Sequence, residues 1–211
     1  MALTAEQMRS LYTAWAERFA AEREALIALD GKVGDSDLGI TMSKGFAAAN
    51  EAVQGLEGAS VAGQMKAAGA ALAKAAPSTM GTLMATGFLR GFKALEGAEQ
   101  FGTAEAAAFW RAYADGVAQR GKAQLGDKTV LDVLDPIAAA LEGSDVGLSG
   151  ALEAAAEAAE EALEATKLMV AQHGKAAAFQ EKSRGLPDAG GTVALILIEV
   201  MRDVARDAAQ G

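Results

Sequence analysis

Residues 4–30, TAEQMRSLYTAWAERFAAEREALIALD, carry the pattern that decides the fold class. Apolar side chains recur there at spacings of three, four and seven residues, which places them on one face of an amphipathic helix: Met8, Leu11, Trp15, Phe19, Leu26 and Leu29. Thr4 and Gln7 fit a capping box at the helix start. Asp30 and Gly31 are typical of a helix end. We therefore predict one helix that begins at Thr4 and ends near Asp30.

The same periodicity predicts that most of the remaining chain is helical. Seven further segments follow it, at residues 41–54, 61–75, 81–95, 103–125, 129–142, 150–173 and 191–209. Pro136 lies inside the sixth of all these segments and is expected to kink or divide it. Short glycine-rich breaks separate the segments, and no linker or charge block divides the chain. We predict one all-α domain over residues 1–211, with about eight helices.

Composition excludes several classes of protein. Of the 211 residues, 51% are hydrophobic but only 5% are aromatic, which together with the alanine-rich helical pattern argues against an all-β fold. The formal net charge is −9, and the chain lacks the basic surface that a nucleic-acid-binding protein needs, so no nucleic-acid partner is expected. With no cysteine, the chain can form neither disulfides nor thiolate zinc sites, and it has no cysteine nucleophile.

The sequence also predicts where in the cell the protein is found. The N-terminus lacks the basic and apolar regions of a signal peptide, and the longest uncharged apolar stretch, 190–198, is too short to span a membrane. We expect a soluble, cytoplasmic protein with no membrane partner.

His173 stands at the predicted end of the 150–173 helix, where an imidazolium would complement the helix dipole.

Three carboxylates, those of Asp30, Asp35 and Asp37, fall within eight residues at a helix end and in a glycine-rich turn. If the backbone is extended through Ser36, Asp35 and Asp37 point the same way, and Asp30 could face them. Such a cluster suits a hard divalent cation, above all Mg²⁺ with substrate phosphates. Helix capping and a solvated turn are the alternative, and calcium in an irregular loop stays open. The EF-hand pattern is absent.

Three other stretches are candidates for binding. Ser78–Thr82 combines hydroxyls and glycine before a helix, which suits a phosphate cradle but also ordinary capping. In residues 126–132, Thr129 could cap the next helix and Asp127 could bind a ligand, with capping the default. Residues 174–190 form a long loop, typical of a functional segment or of disorder. The signatures of P-loop and Rossmann nucleotide-binding proteins are absent.

Four blocks, taken in this order, carry a resemblance to a known family. They are LDGKVGDSDLGITMSKGF (29–46), STMGTLMATGF (78–88), GDKTVLDVLDP (126–136) and GKAAAFQEKSRGLPDAGGTVALIL (174–197). The chain resembles the nucleotide-binding subunit of dihydroxyacetone kinase, the DhaL family, over nearly its whole length. The four blocks are similar, in this order, to the family's D-x(4)-D-x-D-x-G signature, its Ser/Gly-rich loop, its G-D-K-T-x-L-D motif and its last loop.

The resemblance implies an antiparallel barrel of eight helices whose loops at one end hold ADP or ATP. It implies that Asp30, Asp35 and Asp37 bind two Mg²⁺ ions that bridge the phosphates. It also implies the nucleotide-binding residues, which are Leu38, Thr41, Ser78, Thr79, Met80, Gly81, Thr82, Gly126, Asp127, Thr129, Val130, Lys175, Asp188 and Gly190. Lys175 stands where the family usually has arginine.

The implied function is phosphoryl transfer to dihydroxyacetone, or to a similar short ketose, held by a separate ketose-binding kinase subunit. This division of labour requires no nucleophile and no catalytic side chain in this chain beyond the metal site, which agrees with its lack of cysteine. In one branch of the family ATP is the consumed donor. In the other, bound ADP is rephosphorylated by a phosphotransferase-system protein. The sequence leaves the branch open, and with it the question of a homodimer.

Three residues depart from the family pattern. Leu38 and Leu186 replace histidines, and Met80 replaces a serine. The cation site is expected to be intact, while side-chain contacts to phosphate are reduced. The departures leave open an altered ketose such as erythrulose, a changed partner or weaker activity. The alternative function is a catalytically weak ADP-binding regulatory protein of the same fold.

Overall fold

The structure is a computed structural model that describes residues 2–210. Across this range the regular elements are nine α-helices and one 3-10 helix: α1 (Ala5–Ala21), α2 (Arg23–Asp30), α3 (Leu38–Gln54), α4 (Val61–Ala75), α5 (Thr79–Ala94), α6 (Thr103–Gly121), α7 (Leu131–Glu142), α8 (Leu148–Thr166), the 3-10 helix (Lys175–Ser183) and α9 (Ala189–Gln210). An isolated antiparallel bridge joins Leu3 to Phe101. The predicted all-α class is confirmed. None of the helices described is long and apolar enough to cross a membrane.

Eight of the helices close into a ring. Each helix from α3 to α9 packs against the next in the chain, and α1 completes the ring by packing against both α3 and α9. Short connections between most of these neighbours make them antiparallel. The connection from α8 to α9 is longer, but the Asp188 amide donates to the Thr166 hydroxyl, so the end of α8 also lies beside the start of α9. Alternate connections therefore meet at the same end of the ring. Residues 31–37, 76–78, 122–130 and 167–188 form one end, called here the cavity end, and residues 55–60, 95–102 and 143–147 form the opposite end.

Aromatic side chains fill the interior of the ring. Phe88 on α5 lies edge-on to Trp15 and to Tyr113, with ring centroids 5.6 and 5.5 Å away. Two glycines on α5 permit this packing, because a Cβ on Gly87 would lie 2.2 Å from the Tyr113 ring and one on Gly91 would lie 2.3 Å from the Phe109 ring. The interior of the ring is thus closely packed with side chains.

The structure corrects several predicted helix boundaries. The first helix is broken at Glu22 into α1 and α2, whereas α7 continues through Pro136 undivided. The prediction that α8 reaches His173 is wrong, because α8 ends at Thr166 and His173 lies in a loop. The helix predicted for 103–125 ends at Gly121, where Lys122 adopts a left-handed conformation with φ of 55°.

Four helices begin two or three residues earlier than predicted. They are α3 at Leu38, α5 at Thr79, α8 at Leu148 and α9 at Ala189. Their first turns are rich in glycine and hydroxyl residues, so apolar periodicity does not detect them. Three of the four, α3, α5 and α9, begin at the cavity end, where the early starts bring their first amide groups into the site.

Candidate functional site

The three aspartates of the first candidate converge in space. One carboxylate oxygen from each of Asp30, Asp35 and Asp37 lies within 4.8 Å of the others. Asp30 is the last residue of α2, and Asp37 immediately precedes α3. The Asp30 carboxylate accepts hydrogen bonds from the amides of Asp37 (3.0 Å) and Leu38 (3.4 Å). The triad is therefore fixed by the junction of two helices.

The backbone that brings these carboxylates together is not extended, so that part of the prediction is wrong. Ser36 has a φ of 63°, a left-handed conformation that non-glycine residues rarely adopt. Gly34 lets the loop pass close to the Asp30 side chain, because a Cβ on it would lie 2.1 Å from Asp30 Oδ1. A tight turn, rather than strand-like alternation, produces the convergence.

The triad concentrates negative charge. Desolvation, followed by repulsion from Asp30, raises the pKa of Asp37. Among the described residues, one cation pairs with the triad: the Lys175 ammonium forms an ion pair with Asp35 and lies 3.9 Å from Asp37 Oδ2. One ammonium offsets only part of the charge of three carboxylates. Carboxylate oxygens in this arrangement form the donor set that Mg²⁺ prefers.

A cavity of about 400 Å³ opens beside the triad. First-turn residues of four helices line it: Leu38 of α3, Thr79 of α5, Leu131 of α7 and Ala189 of α9. The antiparallel ring places all four helix N-termini at this end. Each N-terminus presents amide groups without intrahelical partners and the positive end of a helix dipole. The cavity thus combines a carboxylate triad suited to a cation with amide groups suited to phosphate.

The second candidate stretch forms the start of α5. Ser78 is the N-cap, and its Oγ accepts a hydrogen bond from the Gly81 amide at 3.0 Å. The capping interpretation is therefore right for Ser78, yet Ser78, Thr79 and Met80 also line the cavity. Gly81 is needed for packing, because a Cβ there would lie 2.0 Å from the Ala76 carbonyl oxygen.

The third candidate stretch is a turn organised by a buried carboxylate. Asp132, 6% exposed, accepts hydrogen bonds from the amides of Gly126 (2.5 Å) and Thr129 (2.7 Å). Thr129 does not cap α7 in the predicted way, since the helix begins only at Leu131 and the Thr129 hydroxyl accepts one long hydrogen bond, 3.3 Å, from the Leu131 amide. Thr129 lines the cavity instead.

Residues 167–188, which we call the cover segment, connect α8 to α9. It contains the 3-10 helix, which is interrupted at Gln180. Asp127 joins the segment to the neighbouring turn: its carbonyl accepts from the Gln172 amide at 2.9 Å, and its carboxylate lies 3.0 Å from His173 Nε2. His173 therefore pairs with a carboxylate beside the cavity and does not cap a helix. The predicted loop at 174–190 therefore contains a 3-10 helix, and it contributes Gly174, Lys175 and Asp188 to the cavity wall.

Asp188 ends the cover segment and caps α9. Its carboxylate accepts a bond from the Gly191 amide at 2.6 Å, and its own amide donates to the buried Thr166 hydroxyl at 2.9 Å. Desolvation raises the pKa of Asp188 to about 7, although the bond from Gly191 opposes this shift. The Asp188 carboxyl group therefore lines the cavity wall with a pKa close to neutral pH.

The cavity brings together twelve of the seventeen residues predicted for metal and nucleotide. They are Asp30, Asp35, Asp37, Leu38, Ser78, Thr79, Met80, Thr129, Val130, Lys175, Asp188 and Gly190. The other five lie outside its lining. Thr41 is buried in α3, Gly81 is packed against Ala76, and Gly126 and Asp127 shape the turn before α7. Thr82 lines an adjacent groove with Arg120.

Sequence reasoning missed several residues of the wall. They are Val33, Leu83, Val117, Ala123, Lys128, Leu131, His173 and Pro187. Most are apolar, so their side chains do not mark them as ligand-binding residues. Their helical spacing predicts burial, but it does not distinguish residues that face the cavity from residues that face the core. Lys128 had a signal, because it lies inside the G-D-K-T block, but its contacts come from residues about forty to sixty positions away.

Comparison with protein families and curated proteins gives a consistent result. The DAK2 domain matches residues 32–203. The chain is 31% identical over 210 residues to the ADP-binding subunit DhaL of the PEP-dependent dihydroxyacetone kinase of Escherichia coli, covering 98% of this chain and all of that protein. A DhaL subunit of Listeria innocua is 30% identical, with 88% of this chain and 89% of that protein covered. A D-erythrulose kinase of Mycolicibacterium smegmatis is 34% identical, but the chain spans only 35% of its length.

Solved structures show the same fold. The dihydroxyacetone kinase of C. freundii in its native form matches with a TM-score of 0.71 and 25% identity, over 92% of this chain and 34% of that one. The same enzyme in complex with AMP-PNP and Mg²⁺ matches with a TM-score of 0.73 at 23% identity, a likeness that bears on the fold alone. On the family match and the full-length similarity, the chain belongs to the DAK2-domain family, together with the DhaL subunits of dihydroxyacetone kinases.

Proposed function

We propose that this chain is the nucleotide- and Mg²⁺-binding subunit of a dihydroxyacetone-kinase-type phosphotransferase. The observation that carries the proposal is the convergence of Asp30, Asp35 and Asp37 at the mouth of a cavity ringed by four helix N-termini. Its relatives of similar length are named as ADP-binding subunits, which supports ADP or ATP as the ligand.

In this proposal the triad holds two Mg²⁺ ions, which supply charge neutralisation to the bound phosphates. The first amides of α5 and α9 orient the phosphate oxygens, and the cover segment limits the access of water. Lys175 faces the same place and adds a positive charge beside the transferred group. Positioning and charge stabilisation are the main contributions that phosphoryl transfer requires of a protein.

The acceptor is a hydroxyl group of dihydroxyacetone or a similar short ketose, held by a separate ketose-binding subunit. The word "subunit" in the names of the DhaL relatives supports such a partner. The erythrulose kinases, of which this chain matches about a third, support an acceptor class of short ketoses. The phosphoryl donor is one of two. Either ATP is consumed and replaced by fresh ATP, or bound ADP is rephosphorylated by a phosphotransferase-system protein.

A reconstitution assay tests the transfer. The chain is mixed with a purified dihydroxyacetone-binding kinase subunit, Mg²⁺ and ATP with a labelled terminal phosphate, and labelled ketose phosphate is measured with dihydroxyacetone and then with erythrulose. We expect product that requires both subunits. If ATP yields only one turnover, the assay is repeated with phosphoenolpyruvate and the phosphotransferase-system proteins, which would identify the second donor. Lack of transfer with every donor and ketose contradicts the proposal.

A specific observation favours a second candidate. Leu38 and Met80, which replace polar residues of the family pattern, both line the cavity and present apolar side chains there. A regulatory protein that binds ADP without turnover would tolerate this loss of polar contacts. Tight ADP binding together with no labelled ketose phosphate in the assay above is the result expected of that candidate.

A further inference from the structure

Lys128 is a buried lysine with an unusual set of partners. Its side chain is only 3% exposed. Its ammonium donates to three backbone carbonyls, those of Met169 (3.3 Å), Ser183 (a short contact) and Leu186 (2.8 Å). All three acceptors belong to the cover segment, whereas Lys128 belongs to the turn before α7.

These partners use the whole hydrogen-bonding capacity of the ammonium. A lysine ammonium has three N–H donors and no acceptor. With three carbonyls in place, no N–H remains for a phosphate oxygen, although Lys128 lies at the cavity wall. The contacts are therefore those of a structural anchor and not those of a phosphate ligand.

The three carbonyls are spread along the cover segment in an informative way. Met169 precedes the 3-10 helix, Ser183 is its last residue, and Leu186 follows it. Lys175, the first residue of that helix, forms the ion pair with Asp35. Anchoring both flanks of the 3-10 helix thus fixes where Lys175 stands relative to the acidic triad.

The anchor itself is held rigidly. The backbone at Lys128 is left-handed, with φ of 57°. Asp132 fixes the turn by accepting from the amides of Gly126 and Thr129, on either side of Lys128. Long loops are generally more mobile than the elements that they connect. The Lys128 ammonium, because it projects from a fixed turn, can hold the cover segment in one position.

We propose that Lys128 is a positioning residue that fixes the cover segment over the cavity and thereby limits the rate at which a bound nucleotide dissociates. The effect on the nucleotide rests on the proposed function, whereas the anchoring of the segment does not. The two parts are therefore measured separately, by hydrogen exchange without nucleotide and by nucleotide dissociation.

The absence of cysteine from the chain allows a specific test. Lys128→Cys is alkylated in denaturant and refolded, either with 2-bromoethylamine, which restores an ammonium at nearly the same distance, or with iodoacetamide, which does not. Exchange is followed at the Ala171 and Gly185 amides, which are bonded within the segment to Ser183 Oγ and the Lys167 carbonyl. Dissociation of a fluorescent ADP analogue with Mg²⁺ is measured by displacement.

We expect the neutral adduct to speed exchange at these two amides and dissociation of the analogue by at least about tenfold each, because a charge-assisted hydrogen bond is lost. Amides inside α4 and α5 should keep their protection, and the aminoethyl adduct should restore the unmodified values. Lys182→Cys, at an exposed lysine of the same segment, receives the same treatments as a control and should change neither rate.

Other outcomes overturn the inference. Unchanged exchange at Ala171 and Gly185 in the neutral adduct would show that Lys128 does not anchor the segment. A uniform loss of protection that includes α4 and α5 would show a role in global stability instead. Should the neutral adduct fail to refold, Lys128→Gln, which like the carbamidomethyl group is neutral and has two N–H donors, serves in its place with the same criteria. If the unmodified chain binds no analogue while exchange behaves as expected, the proposed function fails and the anchor stands.

Discussion

The two ends of the helical ring use polar residues differently. At the opposite end, polar groups complete the helix ends: Thr4 and Gln7 form a reciprocal capping box, and the Glu105 carboxylate accepts from the Gly102 amide at 2.9 Å. At the cavity end, Asp35 and Asp37 instead face each other and Asp30. The polar groups named at the opposite end are thus paired within the fold, whereas at the cavity end three carboxylates share one ammonium, that of Lys175, and this concentration of charge has a cost in stability.

Among the cavity-end residues, Asp188 should have the largest effect on the free energy of unfolding. Its folded-state pKa of about 7 lies well above the unfolded value near 4, so the folded chain holds a proton that the unfolded chain releases. Its contribution therefore destabilises the fold progressively as pH rises from about 4 to about 7. The full shift corresponds to up to about 4 kcal/mol, an upper bound for a partly exposed residue.

Asp188→Asn should remove this pH dependence, because the amide cannot ionise but its oxygen can still accept from Gly191. The measurement is the free energy of unfolding in urea at pH 5 and pH 8. We expect the variant to gain stability over the parent chain at pH 8 and to match it more closely at pH 5. Glu105→Gln at the opposite end is the control, and an equal gain at both pH values would contradict the assignment.

The triad should give the largest effect on binding. Asp35→Asn removes one of three carboxylates, and loss of even an outer-shell partner weakens metal sites by roughly 10–100-fold. We expect at least that loss in Mg²⁺-dependent ADP affinity by titration calorimetry, with little change in stability. Asp145→Asn, at an exposed aspartate of the opposite end, should bind like the parent. Equal affinity in both variants would remove the triad from the site.

Two glycines offer a matched comparison of the ends. A Cβ on Gly34 would collide with Asp30 Oδ1, so Gly34→Ala should displace that carboxylate and weaken Mg²⁺ binding by roughly tenfold. At the opposite end, Gly143 has φ of −82° and its nearest neighbour to a Cβ is 3.7 Å away. Gly143→Ala should stabilise the chain by about 0.4–1 kcal/mol and leave binding unchanged. Calorimetry and urea unfolding of both variants decide this.

Lys175 should give the smallest effect. Its ammonium competes with a cation for Asp35, so Lys175→Met should raise the affinity for Mg²⁺ alone by roughly two- to fivefold, the range of an exposed ion pair. Lys93→Met, an exposed lysine near the opposite end, is the control. Weaker binding of Mg²⁺ in the absence of nucleotide would show that Lys175 organises the triad and does not compete for it.

The periodic regions of the sequence predicted the fold well, and the site was predicted only where chemistry is local. The α1 stripe from Met8 to Phe19 is buried as its spacing requires. The triad was found because its three residues lie within eight positions, although the turn at Ser36 was not. Lys128 was missed because its acceptors are backbone carbonyls brought near by the tertiary fold, and carbonyls leave no trace in a sequence.

Thermal unfolding of the parent chain measures whether Mg²⁺ and ADP bind together at the cavity end. Unfolding is recorded without ligand, with Mg²⁺, with ADP, and with both, each at about 100 times its expected dissociation constant. We expect a gain of roughly 2.7 kcal/mol only when Mg²⁺ and ADP are present together. For a chain of this length that is a rise in Tm of about 5–10 °C. An unchanged Tm with both ligands would contradict the claim that the cavity end holds a metal-bound nucleotide.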